Sequence, residues 1–397
     1  MVLFCFGCLR KEKTPKDEER FLKTRNYRTV AREESSLLTA CWEQDWGQVQ
    51  EICQSNPEQT FWKSQNSGRT ALHLATMPGA RAPSSVLWGL VEANPFAVIE
   101  SDRHKFGGTP LHFCCGSLHR EDPDTVRLFV ETAVRVEKQL PGLLNETTRV
   151  NYHSPLYIAA KWGSPPRTIR ALIEGGQQRT WIAPWTGAES CVTIPTDASY
   201  SPLESLFRLW QGHEEQSEPL DFEKMRELAE RILNGTQAPD FSDELTFSEG
   251  NSYLKIWANI VVLMQPQFKA SGTLLHAASK MYRPVRGLLR LMAAVYSESL
   301  LALDGNGEIP LHVAITNPIY PFMRIPDAEH PICVLLEACP ESTVALPAND
   351  SKALFPAFLA ASYDAPLQGI FELLQRAPDA LEMQRQQFHA HGVGDSV

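Results

Sequence analysis

The chain has 397 residues, of which 43% are hydrophobic and 21% charged, so it carries enough apolar side chains for a sizeable core and is not wholly disordered. Its net charge of −10 argues against a nucleic-acid partner, because phosphate backbones are bound by basic surfaces. The nine cysteines lack paired spacing, which indicates free thiols in a reducing compartment, and we therefore expect a cytoplasmic protein.

Residues 1–34 are predicted to form a disordered basic tail, since residues 1–36 hold nine Lys and Arg against six Asp and Glu. Within it, Cys5 and Cys8 lie in a short apolar stretch that precedes a basic cluster starting at Arg10. Two interpretations stay open. Acylation of both cysteines would hold the chain on the cytosolic side of a membrane, or the tail simply carries two thiols. We expect membrane contact only if Cys5 and Cys8 are acylated, because no stretch approaches the roughly 18–20 apolar residues that span a bilayer.

A six-residue motif recurs along the chain, and its clearest copy is Thr70-Ala-Leu-His-Leu-Ala75. The Thr or Ser at the first position can cap a helix through its side-chain oxygen, and the Pro that often follows suits the first helical turn. The Leu and small residues behind them allow neighbouring helices to pack closely. Each copy therefore predicts the start of a helix. The eight copies begin at Ser35, Thr70, Thr109, Ser154, Ser201, Thr273, Ile309 and Ala353.

The motif resembles that of the ankyrin repeat family, whose unit is a turn followed by two helices over about 33 residues. The resemblance covers residues 35–385 and implies an all-α fold, namely an ankyrin-type helical solenoid of about eight units with short β-hairpin turns. Four copies lack the motif histidine, and the units are longer than the family pattern. The resemblance further implies that the motif histidines bond between adjacent turns and are structural. They are His73, His112, His276 and His312.

A second apolar pattern with helical spacing follows most copies, for example Val126-Arg-Leu-Phe129 and Leu288-Leu-Arg-Leu291. Several of these patterns end at a proline, as at Asn94-Pro95, and proline just beyond a helix is a stop signal. A glycine two residues before the next copy predicts a tight turn with a positive φ. These glycines are Gly68, Gly107 and Gly307.

An acidic insertion at 212–250 is predicted inside repeat five, because the spacing there is about one unit too long. We expect the first helix of this repeat at Pro202–Trp210 and its second helix at Tyr253–Met264. Between them, Phe222, Met225, Ala229 and Ile232 recur at helical spacing and predict one further helix within a solvated segment. Most of the chain's charge imbalance lies here, since residues 204–250 hold twelve acidic and four basic residues.

One cluster could bind a metal. In His112-x-Cys114-Cys115-x-x-x-His119 the residue types are those that zinc favours. The repeat register explains each of them separately, because His112 is the motif histidine and the cysteines occupy the positions of small residues. Cys114 and Cys115 would also point about 100° apart on a helix. We therefore predict a structural role and no metal site.

The sequence holds no once-only catalytic set, and we predict neither an enzyme nor a cofactor. A general base is needed once, whereas the motif histidine occurs four times. The sequence also lacks a nucleophile elbow, a phosphate-binding glycine loop, a dinucleotide fingerprint and a His-Glu-x-x-His metal motif.

Candidate binding residues lie at turn tips and in one long loop. Arg103-His104-Lys105-Phe106 places cations beside an aromatic ring at one tip, and Asn306 lies at another. In the loop 177–187, Trp181 and Trp185 are four residues apart. They would either anchor a partner or fold back as a lid over the edge of repeat four.

These features predict a non-catalytic scaffold or adaptor that binds proteins through the concave face and turn tips of its repeats. The alternative is a membrane-tethered adaptor anchored by acylation of Cys5 and Cys8. We expect protein partners, no nucleic acid, a monomer, and a flexible C-terminal tail at 386–397.

Overall fold

In the computed structural model the described part of the chain is predominantly helical, which confirms the all-α prediction. No helix among the described residues is long and apolar enough to cross a membrane. Contacts divide the chain into two compact units: unit 1 holds residues 1–119 and 128–151, and unit 2 holds residues 120–127 and 152–397. The structure describes residues 29–30, 35–103, 107–117, 119, 122–139, 154–176, 202–214, 220–234, 252–271, 273–281, 285, 287–317, 330–344, 356–362, 367–379 and 382–386.

The helices of unit 1 come in consecutive pairs. Helices that start at motif copies contact one another in chain order, α1 with α3 and α3 with α5, while α2 contacts α4. The strands β1 and β2 form a parallel two-residue bridge. The elements are β1 Thr29–Val30, α1 Ser36–Glu43, α2 Trp46–Ser55, β2 Lys63–Ser64, α3 Ala71–Thr76, α4 Ser84–Ala93, α5 Pro110–Gly116 and α6 Pro123–Gln139, the last of which begins in unit 2.

Unit 2 repeats the same pairing, with α7 against α9, α12 against α14 and α14 against α16, and with α13 against α15 and α15 against α17. Its helices are α7 Pro155–Lys161, α8 Pro166–Gly176, α9 Pro202–Glu214, α10 Phe222–Leu233, α11 Ser252–Ser271, α12 Leu274–Ser279, α13 Leu288–Val295, α14 Pro310–Ile315, α15 Pro331–Ala338, α16 Pro356–Ser362 and α17 Leu367–Arg376.

Seven motif copies start a helix at their second residue, and the helix of the eighth copy begins at its fourth residue, Pro356. The capping chemistry that predicts these starts is visible in several copies. The Ser35 hydroxyl accepts a hydrogen bond from the backbone N–H of Leu38 at 3.1 Å, and the Ser154 hydroxyl accepts one from Tyr157 at the same distance. Thr273 accepts likewise from the N–H of His276 at 3.2 Å. Each bond satisfies a donor that the first helical turn leaves unpaired, which is why the motif fixes the helix start.

The prolines behind the second helices do more than stop them. The α2 and α4 helices are followed by the cap residues Asn56 and Asn94, and the next residue, a proline in each case, opens a short 3-10 helix, at Pro57–Phe61 and Pro95–Ile99. Pro340–Val344 repeats this arrangement in unit 2. Proline suits these starts because its fixed φ is helical and its missing N–H would be unpaired there.

The turns before the second and seventh motif copies are tight loops rather than β-hairpins. The N–H of Ser64 donates to the carbonyl of Arg69 at 2.9 Å, and Asp304 donates to Glu308 at 2.9 Å. The predicted glycines have positive φ values of 66° at Gly68, 52° at Gly107 and 78° at Gly307. The N–H groups of Gly68 and Gly307 also donate, to the carbonyls of Ser64 at 2.8 Å and Asp304 at 3.0 Å, but no two strands pair across either turn.

The helix predicted within the acidic insertion is α10, and it packs into unit 2. It contacts both α11 and α13. Met225, Leu228, Ala229 and Ile232 are buried, whereas Phe222, which the spacing placed on the same face, is 38% exposed at the start of the helix. Helix α10 therefore exposes only one face to solvent, because its apolar face packs against α11 and α13.

The α11 helix packs against four other helices of unit 2. It contacts α8, α9, α10 and α12, and its residues from Tyr253 to Met264 are all buried except Lys255. The indole N–H of Trp257 donates to the carbonyl of Met225 in α10 at 2.7 Å. Neighbours on every side explain why its sequence is apolar all round rather than along one stripe.

Six cysteines among the described residues are free, and all but Cys53 are buried. Burial raises the pKa of the thiols of Cys41 and Cys115 far above the usual range, and that of Cys53 to about 11. The buried thiols act as small apolar side chains, as the repeat register indicates for Cys114 and Cys115.

Candidate protein-binding surfaces

The motif histidine of the second copy, His73, links its own turn to the next. It is fully buried, and its Nδ1 atom accepts from the backbone N–H of Thr70 at 3.2 Å. Because Nδ1 accepts, the proton lies on Nε2, which donates to the carbonyl of Gly108 at 3.2 Å. His73 therefore joins the helix start at Thr70 to the turn before the third copy.

The same arrangement recurs in unit 2. The Nδ1 atom of His276 lies 2.6 Å from the Thr273 hydroxyl, and its Nε2 atom lies 2.8 Å from the carbonyl of Glu308. Two further copies carry the motif histidine. Nδ1 of His112 lies 2.8 Å from the Thr109 hydroxyl, and the backbone N–H of Ile309 lies 3.5 Å from Nδ1 of His312. Each of the four histidines thus faces the first residue of its own motif copy.

Burial keeps His73 and His276 neutral. Loss of water lowers the pKa of His73 to about 3, and the nearby charges of Lys63 and Arg69 add to the effect. Burial also lowers the pKa of His276. Both side chains have their ring nitrogens within hydrogen-bonding distance of protein atoms, which leaves no lone pair directed at a substrate.

Ionic contacts join the turns of the second and third copies in unit 1. The Lys63 ammonium pairs with the carboxylate of Glu100, and the Arg69 guanidinium pairs with Asp102 at 3.1 Å. The Asp102 carboxylate is only 1% exposed. Arg69 also lies over the ring of Phe113, 5.3 Å from its centre. These contacts hold successive turns at a fixed spacing.

Arg103, a candidate binding residue, reaches back to the preceding turn. Its backbone N–H donates to the carbonyl of Ser67 at 2.7 Å, and its guanidinium donates to the carbonyl of Gln65 at 3.0 Å. The aliphatic part of the side chain lies over Gly68, where a Cβ atom would meet it at 2.6 Å. Arg103 is exposed, yet it also takes part in the contact between two turns.

Asn306, the other described tip residue, shapes its own turn. Its backbone N–H donates to Asp304 Oδ1 at 2.8 Å, and its side-chain amide donates to Asp304 Oδ2 at 3.3 Å. Asp304 Oδ1 also accepts from the N–H of Glu308 at 3.0 Å. Asn306 is exposed, but its backbone N–H and its side-chain amide both donate hydrogen bonds within its own turn.

Several sequence candidates lie outside the described residues, so their surroundings are not part of this description. They are Cys5, Cys8, His104, Lys105, Phe106, Trp181 and Trp185. Within the described ranges, no three His, Cys, Asp or Glu side chains lie close enough to hold a metal ion. His119, the last member of the predicted zinc-like cluster, is instead buried with Nε2 at 3.3 Å from the carbonyl of Ala75.

Three exposed tryptophans are features that sequence reasoning missed. Trp42 is 58% exposed, Trp88 is 48% exposed and Trp162 is 55% exposed. Trp42 and Trp162 lie at the C-terminal ends of α1 and α7, both of which start at motif copies. A helical wheel of α4 could have found Trp88, since Val86, Leu87, Leu90 and Val91 define the opposite, buried face.

Comparison of the sequence with protein-family models gave no match, and a search of curated proteins found no significant relative.

Proposed function

We propose that the chain is a non-catalytic protein-binding scaffold built as an ankyrin-like helical solenoid. The observation that carries this proposal is the exposure of Trp42, Trp88 and Trp162. Tryptophan is among the residues most enriched in the energetic centres of protein interfaces. The seven helices that start at the second residue of a motif copy and the paired helices support the repeat architecture.

The binding free energy would come from the apolar surface of the tryptophan rings that is still exposed to water. A tryptophan side chain can bury about 150–250 Å², so one that is half exposed leaves about 100 Å² for a partner to cover. At about 25 cal/mol per Å², each ring offers about 2–3 kcal/mol of binding free energy before ordering costs. Three such rings are enough to anchor specific partners without any reactive group.

The neutral, fully bonded state of His73 and His276 supports a role in holding turns together rather than in acid–base chemistry. A scaffold needs this rigidity, because a surface that is already ordered loses little conformational entropy when a partner binds.

The proposal is tested by affinity capture with quantitative mass spectrometry, using the full chain as bait. We expect Trp42→Ala, Trp88→Ala or Trp162→Ala to deplete captured proteins by about tenfold, since tryptophan anchors contribute about 2 kcal/mol or more. The control is Gln50→Ala, which removes an exposed polar side chain from α2. A chain beginning at Glu33 measures what the tail contributes. If a triple tryptophan variant captured every protein that the unaltered chain captures, the proposal would fail.

A further inference from the structure

Helix α10 is an addition to a helix pair that forms without it. The pair that begins at the fifth motif copy consists of α9 and α11, which contact each other directly, as do the helices of other pairs. Helix α10 belongs to the insertion between them, and it contacts α11 and also α13, which follows the sixth copy. If α10 left its place, the contact between α9 and α11 would therefore remain.

We call the surface of α11 and α13 that α10 covers the α10 groove. The face of α10 that packs against it carries Met225, Leu228, Ala229 and Ile232, which are all buried. Side chains three, four and seven positions apart are the anchors by which amphipathic helices bind apolar grooves. The opposite face of α10 is charged and exposed. Helix α10 thus contacts the groove in the way that a helical ligand does.

Two side chains of α11 bond to the backbone of α10 rather than to its side chains. The indole N–H of Trp257 donates to the carbonyl of Met225 at 2.7 Å, and the side-chain amide of Gln265 donates to the carbonyl of Ile232 at 3.4 Å. Every α-helix presents backbone carbonyls two turns apart on one face. These bonds therefore do not depend on the sequence of α10, and another helix with the same apolar spacing can accept both.

The contact of α10 with the end of α13 is less complete. The Arg226 guanidinium donates to the carbonyl of Val295 at 3.1 Å and pairs with Glu298 at 3.0 Å, but this ion pair is partly exposed. The nearby hydroxyl of Tyr296 is buried and has no hydrogen-bond partner among the residues that the structure describes. Burial raises the pKa of this hydroxyl, and the carboxylate of Glu230 in α10 adds to the effect. An unpaired buried hydroxyl is unfavourable, so α10 leaves one polar group of the groove unsatisfied.

We infer that the α10 groove is a docking site for an amphipathic helix of a partner protein, and that α10 occupies it as an internal ligand which the partner helix displaces. This inference rests on the proposed scaffold function and names the kind of partner for one surface. Helix α10 has 12 residues, and a helix of that length is marginal in isolation, so its structure depends on docking. A partner helix that offers an acceptor to Tyr296 has an advantage over α10.

The first test measures whether α10 opens before the helix that it covers. Amide hydrogen exchange of the full chain, read by mass spectrometry of peptic peptides, compares α10 with α11. We expect the amides of α10 to exchange at least about tenfold faster, because local opening of α10 leaves the contact between α9 and α11 in place. Equal protection of the two helices would overturn the inference, since a partner would then have no access to the groove.

The second test supplies α10 as a separate molecule. A fluorescein-labelled peptide of residues 220–234 is titrated with the full chain and followed by fluorescence anisotropy. Ile232→Asp in the chain puts a charge on the buried face of α10, so this variant should bind the peptide at least about tenfold more tightly than the unaltered chain. Asn234→Asp adds the same charge at an exposed position and should change the affinity by less than about twofold. Equal affinities of the two variants would overturn the inference.

A milder variant keeps the test decisive if circular dichroism shows that Ile232→Asp does not fold. Arg226→Met removes the bonds to Val295 and Glu298 while the apolar face of α10 stays intact. It should raise the affinity for the peptide by about threefold, since a partly exposed ion pair contributes little. An affinity equal to that of the unaltered chain would then overturn the inference.

A designed peptide separates recognition of the apolar spacing from recognition of α10 itself. It carries leucine at the four positions of the buried face and Glu, Lys and Gln elsewhere. We expect it to bind the Ile232→Asp chain within about fivefold of the α10 peptide, and a scrambled peptide of the same composition to bind at least about tenfold more weakly. If only the α10 peptide bound, the groove would serve α10 alone and the inference would fail.

A second copy of the chain is the other occupant to be tested, because inserted segments can exchange between copies. Light scattering of the unaltered chain decides this. A monomer supports a different partner, whereas a dimer that Ile232→Asp abolishes would assign the groove to α10 of a second copy and overturn the inference. If no peptide binds but Trp162→Ala still depletes captured partners, only this inference fails and the scaffold function stands.

Discussion

Two regions of the molecule hold the same kind of helix pair in different ways. One is the junction of the second and third motif copies in unit 1, and the other is the surroundings of α11 in unit 2. In unit 1 the turns are joined by polar contacts, with Arg69 on Asp102 and His73 on Gly108. In unit 2 the α11 helix is enclosed by apolar side chains, and the inserted helix α10 covers it. One motif thus fixes where helices start, while the neighbours decide how they are held.

The difference predicts that the two regions respond to different perturbations. Apolar enclosure depends on volume and shape, so it is broken by truncating large side chains. A polar junction depends on the protonation state and pairing of buried groups, so it is broken by changes of pH and by removing one partner.

The largest expected effect is in unit 2. Trp257→Ala should lower the free energy of unfolding by about 3–5 kcal/mol, because the side chain is fully buried and its loss leaves a cavity. Trp257→Phe should cost less, since it keeps a ring while losing the bond to Met225. Urea unfolding measures both. Trp162→Ala, at an exposed position, should change stability by less than about 0.5 kcal/mol. Equal midpoints for Trp257→Ala and Trp162→Ala would show that α10 does not enclose α11.

In unit 1 the second prediction concerns the ion pair between Arg69 and Asp102. Arg69→Met should lower the free energy of unfolding by about 3 kcal/mol, because it removes the cation that is paired with Asp102, whose carboxylate is 1% exposed. The control is Arg290→Met in unit 2, where the pair with Glu337 spans 2.9 Å but both side chains are about half exposed. That change should cost less than about 0.5 kcal/mol. Similar costs for the two variants would contradict the difference between buried and exposed pairs.

A pH effect should distinguish the polar junction. Since the pKa of His73 is lowered from 6.5 to about 3, the unfolded chain binds a proton between these values and the folded chain does not. Stability is therefore full above pH 6.5 and falls as the pH is lowered, by at most about 1.4 kcal/mol per unit. From pH 6.5 to 5.0 the loss from His73 is about 2 kcal/mol. Urea midpoints across this range measure it, and His73→Gln should flatten the slope. A slope that His73→Gln leaves unchanged would assign it to other groups.

The smallest effect concerns a turn. Gly68→Ala should cost about 1–2 kcal/mol, because alanine is strained at a φ of 66° and its Cβ would meet Arg103. Gly79→Ala has a φ of 92° but nothing within 4 Å, so it isolates the backbone contribution. Thermal unfolding of the two variants compares them. If Gly79→Ala proved the more costly, the contact between Arg103 and the turn at Gly68 would have no energetic weight.

Much of the helical framework could be predicted from the sequence. Seven of the eight motif copies start a helix at their second residue, because capping and proline act within a few residues of the helix end and need no distant partner. The positive φ values at Gly68, Gly107 and Gly307 were predictable for the same local reason. The 3-10 helices that follow Asn56 and Asn94 were not, because a proline after a helix is compatible with either a stop or a new turn.

The sequence pattern could not predict which helices pack against each other or which tryptophan side chains are exposed. Periodicity shows that α10 has an apolar face, but it does not say that α11 and α13 cover that face. Tryptophan is amphipathic and occurs both inside proteins and on interfaces, so composition gave no reason to expect Trp42 and Trp162 in solvent. The guanidinium of Arg103 bonds to Gln65 because two successive turns come together, which is a tertiary relation.

The buried free thiols give each unit an internal reporter of local opening. Cys41, Cys114 and Cys115 belong to unit 1, and Cys333 and Cys339 belong to unit 2. A thiol inside packed helices reacts with an alkylating reagent only when its surroundings open, since the thiolate is the reactive form. Timed alkylation followed by peptide mapping would therefore measure opening rates in the two units within one sample. No cysteine has to be introduced for this experiment.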